Sequence, residues 1–225
     1  MKCGARRSHV ARLTAALLTG TKQTVVWFMG HDMATATRMP RADNRLPLLL
    51  DEAARLFGAR GFHGATIRDI ARGVDMLPGS LYYHFAAKED LLAAVYAEGV
   101  ERISARVRAA VDGRNDPWQR LQAACIAHLE ALLAEGDYAQ VVIRVRPGDV
   151  PEVAERLTAL RDRYERIFVE LIDGLPLRAG VDRRNLRLML LGALNWSQTW
   201  YRPGRDDPRV IARNFVALLR RPTES

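Results

Sequence analysis

A chain of 225 residues, 48% hydrophobic and 27% charged, has the make-up of a folded globular protein with room for one large core or two small ones. That balance excludes a disordered chain, and no apolar run reaches the roughly 20 residues that a membrane helix needs. A net charge of +8 and a pI near 10.1 invite a polyanionic partner, but the charge is uneven: residues 1–37 carry five basic residues and one acid, and residues 38–92 carry eight against seven. The placement of individual residues therefore matters more than the total. Cys3 and Cys125 form neither a CxxC pair nor a framework of bridges, so a reducing cytoplasm is the expected setting.

In chain order, residues 1–40 read as an N-terminal extension. The basic start and the LTAALLTG run hint at a secretory signal, but threonines interrupt the apolar stretch and Lys22 follows at once. A disordered basic arm, or an upstream stretch ahead of a later start at Met29, Met33 or Met39, fits better.

Helical periodicity begins at Leu46, with Leu49, Leu50, Ala53, Ala54 and Phe57 on one face and Gly61 as the stop. Thr66 and Asp69 form a variant capping box ahead of a short helix whose apolar face is Ile67, Ile70, Ala71 and Val74. Asp75 ends that helix because Asp tolerates the left-handed conformation, and Pro78 opens the next. Two short helices joined by a tight turn make a helix-turn-helix, here within residues 41–90.

The second of these helices has an unusual surface. Leu81 and Phe85 point inward, while Ser80, Tyr82, Tyr83 and His84 offer hydrogen-bonding groups and rigid aromatics on less than two turns. A helix that enters the major groove needs that chemistry, with Gly79 allowing close backbone approach. Arg68 can reach a guanine edge, and Lys88, at the next helix start, suits a phosphate.

The stretch Thr66–Leu92, TIRDIARGVDMLPGSLYYHFAAKEDLL, resembles the signature of the tetracycline-repressor (TetR) family of bacterial regulators. Carried over position by position, the resemblance implies base reading by Arg68, Pro78, Gly79, Ser80, Tyr82 and His84, and phosphate contacts by Thr66, Tyr83 and Lys88. Three positions depart from the family pattern: Asp75 for the turn glycine, and Leu77 and Ala87 for the two polar caps. Each missing cap weakens a helix start by about 1 kcal/mol.

Residues 91–225 read as a larger helical domain. Helices are expected from about Lys88 to Ala110, from Pro117 through Leu132, from Tyr138 to Val145, from Pro151 to Ile172, from Asp182 to about Tyr201 and from Pro208 to Arg220. The only strand candidate is VVIRV at 141–145. The fold class is therefore all-α: a three-helix helix-turn-helix module followed by an effector-binding and dimerisation domain. Apolar residues around the whole circumference of 186–201 require burial on two sides, which fits a homodimer through about 182–201 and 208–220, as the family resemblance also implies.

The resemblance further implies a small-molecule effector, and NWSQTWYRPG (Asn195–Gly204) is similar to the C-terminal end of members linked to lipid, acyl-CoA or steroid breakdown. Candidate effector contacts are Cys125, His128, Arg144, Tyr164, Phe168, Asn195, Gln198 and Trp200. Cys125 and His128 lie three apart but lack a third ligand nearby, and no catalytic motif is present, so no metal, cofactor or catalytic residue is expected. The partners are then operator DNA, an effector and a second copy, without a membrane. Two rivals stay open: a non-specific basic DNA-coating protein and an α-helical enzyme.

Overall fold

The computed structural model describes Arg45–Thr223 apart from Glu135; the N-terminal extension lies outside the described residues. Every regular element among them is a helix: α1 (Leu46–Gly64), α2 (Ile67–Gly73), α3 (Pro78–Leu81), α4 (Lys88–Val111), α5 (Pro117–Leu133), α6 (Asp137–Arg144), α7 (Ala154–Asp173), α8 (Arg183–Trp196) and α9 (Pro208–Thr223). None is long and apolar enough to cross a membrane.

Local chemistry sets the boundaries. Thr66, Asp116 and Asp182 each accept a backbone N–H three residues on, starting α2, α5 and α8. Leu77 and Ala87 provide no side-chain cap to α3 or α4. Gly61, at φ 72°, kinks α1 rather than ending it, and one further turn runs to Gly64. The VVIRV segment falls mostly in α6, so the strand alternative does not hold. The helix expected from Pro151 begins with a 3₁₀ turn and becomes α-helical at Ala154, and α8 gives way at Ser197 to another 3₁₀ turn.

Two apolar clusters carry the fold. The front one packs Leu49, Phe57, Ile70, Leu81, Leu91 and Tyr96, and takes in Val141 from α6 and Leu157 from α7. The rear one packs Leu121, Leu129, Phe168, Leu190, Leu194 and Val216. Fully burying such a side chain contributes about 1.5–3 kcal/mol. Helix α4 supplies residues to both clusters, so the helix-turn-helix shares its core with the domain behind it. At 24 residues, α4 is about 36 Å long.

Close backbone approach ties α6 to its neighbours. A Cβ on Gly99 of α4 would lie 2.7 Å from Val142 Cγ2, and one on Gly58 of α1 would lie 3.3 Å from the Asp137 carbonyl. Helix α6 thus sits wedged between α1 and α4.

Candidate nucleic-acid interface and effector cavity

The turn between α2 and α3 is held by Asp75 in the left-handed region, φ 51°, with its carbonyl accepting from the Arg45 guanidinium at 3.2 Å. Helix α3 is a single turn. The chain then tightens through Tyr82–His84, with the Tyr83 and His84 N–H groups donating to the Ser80 and Leu81 carbonyls. The recognition element is therefore one helical turn plus a tight turn, shorter than a helix spanning Pro78–His84, because Leu77 gives α3 no side-chain cap and α4 restarts at Lys88.

Leu81 anchors this element in the core, and the other side chains face outward. Tyr83 is 93% exposed and Tyr82 57%; Arg68 is exposed, while Ser80 and His84 are half-buried. A Cβ at Gly79 would meet nothing within 4 Å, so no internal contact requires glycine there. The backbone there is open to approach from outside.

Two of the expected phosphate-binding side chains have internal work. The Thr66 hydroxyl accepts from the Asp69 N–H at 3.1 Å and donates to the Asp69 carboxylate at 2.7 Å, which, ahead of weaker help from Arg60 and Arg72, holds that carboxyl below its usual range. Lys88 Nζ donates to the carbonyls of Phe62 at 2.9 Å and Ala65 at 3.1 Å and sits 4.1 Å from the Phe62 ring centroid. The ammonium thereby satisfies the end of α1 and fastens it to the start of α4, with one N–H left over.

Behind this module, α4, α5, α6, α7 and α8 enclose a cavity of about 220 Å³. Its wall includes Tyr96, Val100 and Ile103 of α4, Val142 and Ile143 of α6, and Leu191 of α8. His128, Tyr164 and Asn195 form a hydrogen-bonded chain along it: His128 Nδ1 lies 2.5 Å from the Tyr164 hydroxyl, and Nε2 lies 3.0 Å from Asn195 Oδ1. Because Asn195 Oδ1 can only accept, Nε2 carries the proton and the tyrosine donates to Nδ1. Burial lowers the His128 pKa to about 4 despite the Asn195 bond, so the imidazole is neutral at pH 7. Burial likewise pushes the Tyr164 hydroxyl and the Cys125 thiol upward.

Of the eight candidate effector contacts, the cavity brings together His128, Tyr164, Asn195 and Gln198. Phe168 packs edge-on against His128 and Tyr164 behind the wall, and Cys125 is buried in the rear core. Arg144 donates to the Gly58 carbonyl at 3.0 Å, joining α6 to α1, and Trp200 lies at the surface. Periodicity did not single out Arg146, Arg161 and Glu165, which bring charge to the cavity's lining. Among the described residues no group of three His, Cys, Asp or Glu could hold a metal ion.

Comparison with known proteins places these features. Residues 49–95 match the family model described as bacterial regulatory proteins, tetR family, and residues 114–223 match the tetracyclin repressor-like C-terminal domain. The HTH-type transcriptional repressor KstR2 of Mycobacterium tuberculosis is 34% identical over 187 residues, covering 80% of this chain and 92% of its own. The structure of that ketosteroid transcriptional regulator superposes with a TM-score of 0.62 at 28% identity, over 80% of this chain and 95% of the other. AibR, solved with isovaleryl coenzyme A and operator DNA, gives 0.66 at 27% identity, over 77% of this chain and 97% of its own.

Proposed function

Because the chain belongs to the TetR family and is a ligand-responsive, DNA-binding transcriptional repressor, we propose that it grips a palindromic operator as a homodimer and is released by a small apolar acyl or ring compound bearing a carbonyl. Each subunit sets α3 and the following turn in the major groove. Arg68, Ser80, Tyr82 and His84 reach base edges, Pro78 and Gly79 let the backbone approach, and Thr66, Tyr83 and the remaining N–H of Lys88 meet phosphates. Such a protein acts in the cytoplasm, beside the chromosome. The dimer forms through α8 and α9, where Leu188, Met189, Trp196 and Leu218 are exposed and too apolar for a solvated face.

The observation that carries the effector reading is the His128–Tyr164–Asn195 chain. Buried His128 and half-buried Tyr164 satisfy each other along the cavity wall, and Asn195 at its exposed edge accepts from the histidine, while the Asn195 amide N–H₂ is not used by the histidine. A ligand carbonyl can accept from that amide as its apolar body fills the space beside Val100 and Ile103. A volume of about 220 Å³ is below the roughly 300 Å³ at which drug-sized pockets begin, so a branched acyl group or a ring fragment fits and a larger body must spread the helices. That chemistry agrees with the ketosteroid and isovaleryl coenzyme A themes of the two relatives.

Release follows from the wedge. Helix α6 touches the ligand through Val142 and Ile143 and grips α1 through Arg144 to Gly58 and through Tyr138, whose hydroxyl donates to Asp51 at 2.8 Å. A ligand that favours a displaced α6 favours displaced recognition elements, and two half-sites about 34 Å apart are then no longer matched. The test is release of operator-bound protein by isovaleryl coenzyme A and by longer and ring-bearing thioesters. Wild type should dissociate with at least one of them, and His128→Ala should bind operator normally but respond at least about tenfold more weakly. Equal release of both proteins would refute the role of the chain.

A further inference from the structure

The effector cavity is not the largest concavity in the protein. A cleft of about 860 Å³ opens where the α4–α5 turn and the first turn of α5 meet α7, and five arginines line it: Arg108, Arg114, Arg120, Arg163 and Arg166. Only two carboxylates, Asp112 and Glu170, share the lining. We infer that this cleft is a second ligand site, built for a small molecule or ion that carries adjacent phosphate groups.

The arginines are not explained by pairing within the protein. The side chains of Arg120, Arg163 and Arg166 make no hydrogen bond or ion pair among the described residues, although Asp162 and Glu170 stand four positions to either side of Arg166 on the helix. Arg108 has only Glu101, at 3.9 Å, and Arg114 donates to the Ala110 carbonyl, which folds it back over the end of α4. A solvated helix face spreads its charges and laces them with opposite ones; here three elements converge on one concavity with three of the five arginines unpaired. Holding them together is unfavourable unless an anion joins them.

Position separates the cleft from both other sites. It lies at the C-terminal end of α4, whereas the recognition turn packs near its N-terminal end, about 30 Å away along the helix. DNA held by α3 does not explain it. The effector cavity uses Arg161, Tyr164 and Glu165 of α7, and the cleft uses Arg163, Arg166 and Glu170; at 3.6 residues per turn these sets face opposite sides of the helix. The inference therefore stands without the effector reading.

The chemistry favours phosphate. A guanidinium matches phosphate oxygens with two parallel N–H bonds, and five forks exceed what a single carboxylate can occupy. Val111, Ile167 and Leu171 give the cleft an apolar floor on which an attached base or chain can rest. The same arginines suit a nucleoside triphosphate or an inorganic polyphosphate, and the test distinguishes them.

Calorimetric titration of the full chain near 0.15 M salt, where the Debye length is about 8 Å, would use ATP, inorganic tripolyphosphate and adenosine as probes. Saturable binding of ATP or tripolyphosphate, with none of adenosine, is expected. Arg163→Ala with Arg166→Ala should weaken it at least about tenfold, and Arg120→Gln on the neighbouring helix should do the same at smaller size. All three side chains are exposed, so melting temperatures should not move. ATP binding clearly tighter than tripolyphosphate would identify a nucleotide as the source; equal binding would identify the phosphate chain alone. The proposal fails if neither polyphosphate binds saturably, if the variants bind as well as wild type, or if they lose operator affinity with a flatter salt slope, which would make the cleft a nucleic-acid surface.

Discussion

At the front of the molecule the aromatic and polar side chains of the recognition turn face outward, with Tyr83 93% exposed and Gly79 bare; in the rear, His128 is buried and bonded on one side to half-buried Tyr164 and on the other to Asn195 at the cavity's exposed edge. The same kinds of group thus appear in two opposite conditions. An outward group is satisfied by water until a partner arrives, so it adds little to stability and much to recognition. An enclosed group must be satisfied by its neighbours, so it contributes to stability and responds only when something enters to compete. The contrast separates the surface proposed to read DNA from the cavity proposed to sense an effector, and α4 and α6 join the two.

The comparison predicts different damage at different places. The largest effect should come from the proposed dimer surface: Met189→Arg with Leu218→Glu should produce a monomer by sedimentation and lower operator affinity at least about a hundredfold, since one half-site alone remains. A dimer that persists in this variant would place the interface elsewhere. Next is Lys88→Ala, which leaves two carbonyls of α1 without their donor and removes the ammonium from Phe62. It should lower unfolding free energy by about 1–3 kcal/mol in denaturant titration, unlike an exposed phosphate contact, whose loss leaves stability unchanged.

The enclosed chain has a pH signature. The folded His128 titrates at about 4, against about 6.5 when unfolded, so between those values the unfolded chain binds more protons. Its contribution is complete above about pH 6.5 and is lost as the pH falls toward 4, amounting to about 2 kcal/mol already at pH 5. His128→Gln should flatten that part of the stability profile; an unchanged slope would mean the imidazole is not held neutral. The smallest and most selective effect is that of Gly79→Ala. Stability should hold or rise by about 0.5–1 kcal/mol, as for Gly→Ala within a helix, while operator affinity drops about tenfold.

The sequence makes the front of the protein legible because its chemistry is contiguous. Thr66, Asp69, Asp75, Pro78 and the Ser80–His84 run lie within nineteen residues, and caps, turn and exposed aromatics can be read in order. Helix order also follows from caps such as Asp116 and Asp182. The cavity is less legible because it is assembled over distance: His128 meets a tyrosine 36 residues on and an asparagine 67 residues on. Asn195 stood out as a polar residue in an apolar stretch and His128 for lying three residues from Cys125, but nothing in their spacing joined them. The same reasoning treated Lys88 as a surface cation, because the Phe62 and Ala65 carbonyls it bonds to are invisible until α1 and α4 pack together. The arginine cleft escaped notice for that reason too, its five residues being spread over 59 positions.

On the proposed reading the outward turn reads sequence, while the chain's positive charge supplies only background attraction. Titration of the full chain against DNA from just upstream of its own gene, with unrelated DNA alongside at two salt concentrations, tests it most directly. Selectivity of about a thousandfold or more that survives the higher salt is the predicted result. Equal, salt-fragile binding to both DNAs would contradict it and leave a basic protein held to nucleic acid by charge alone.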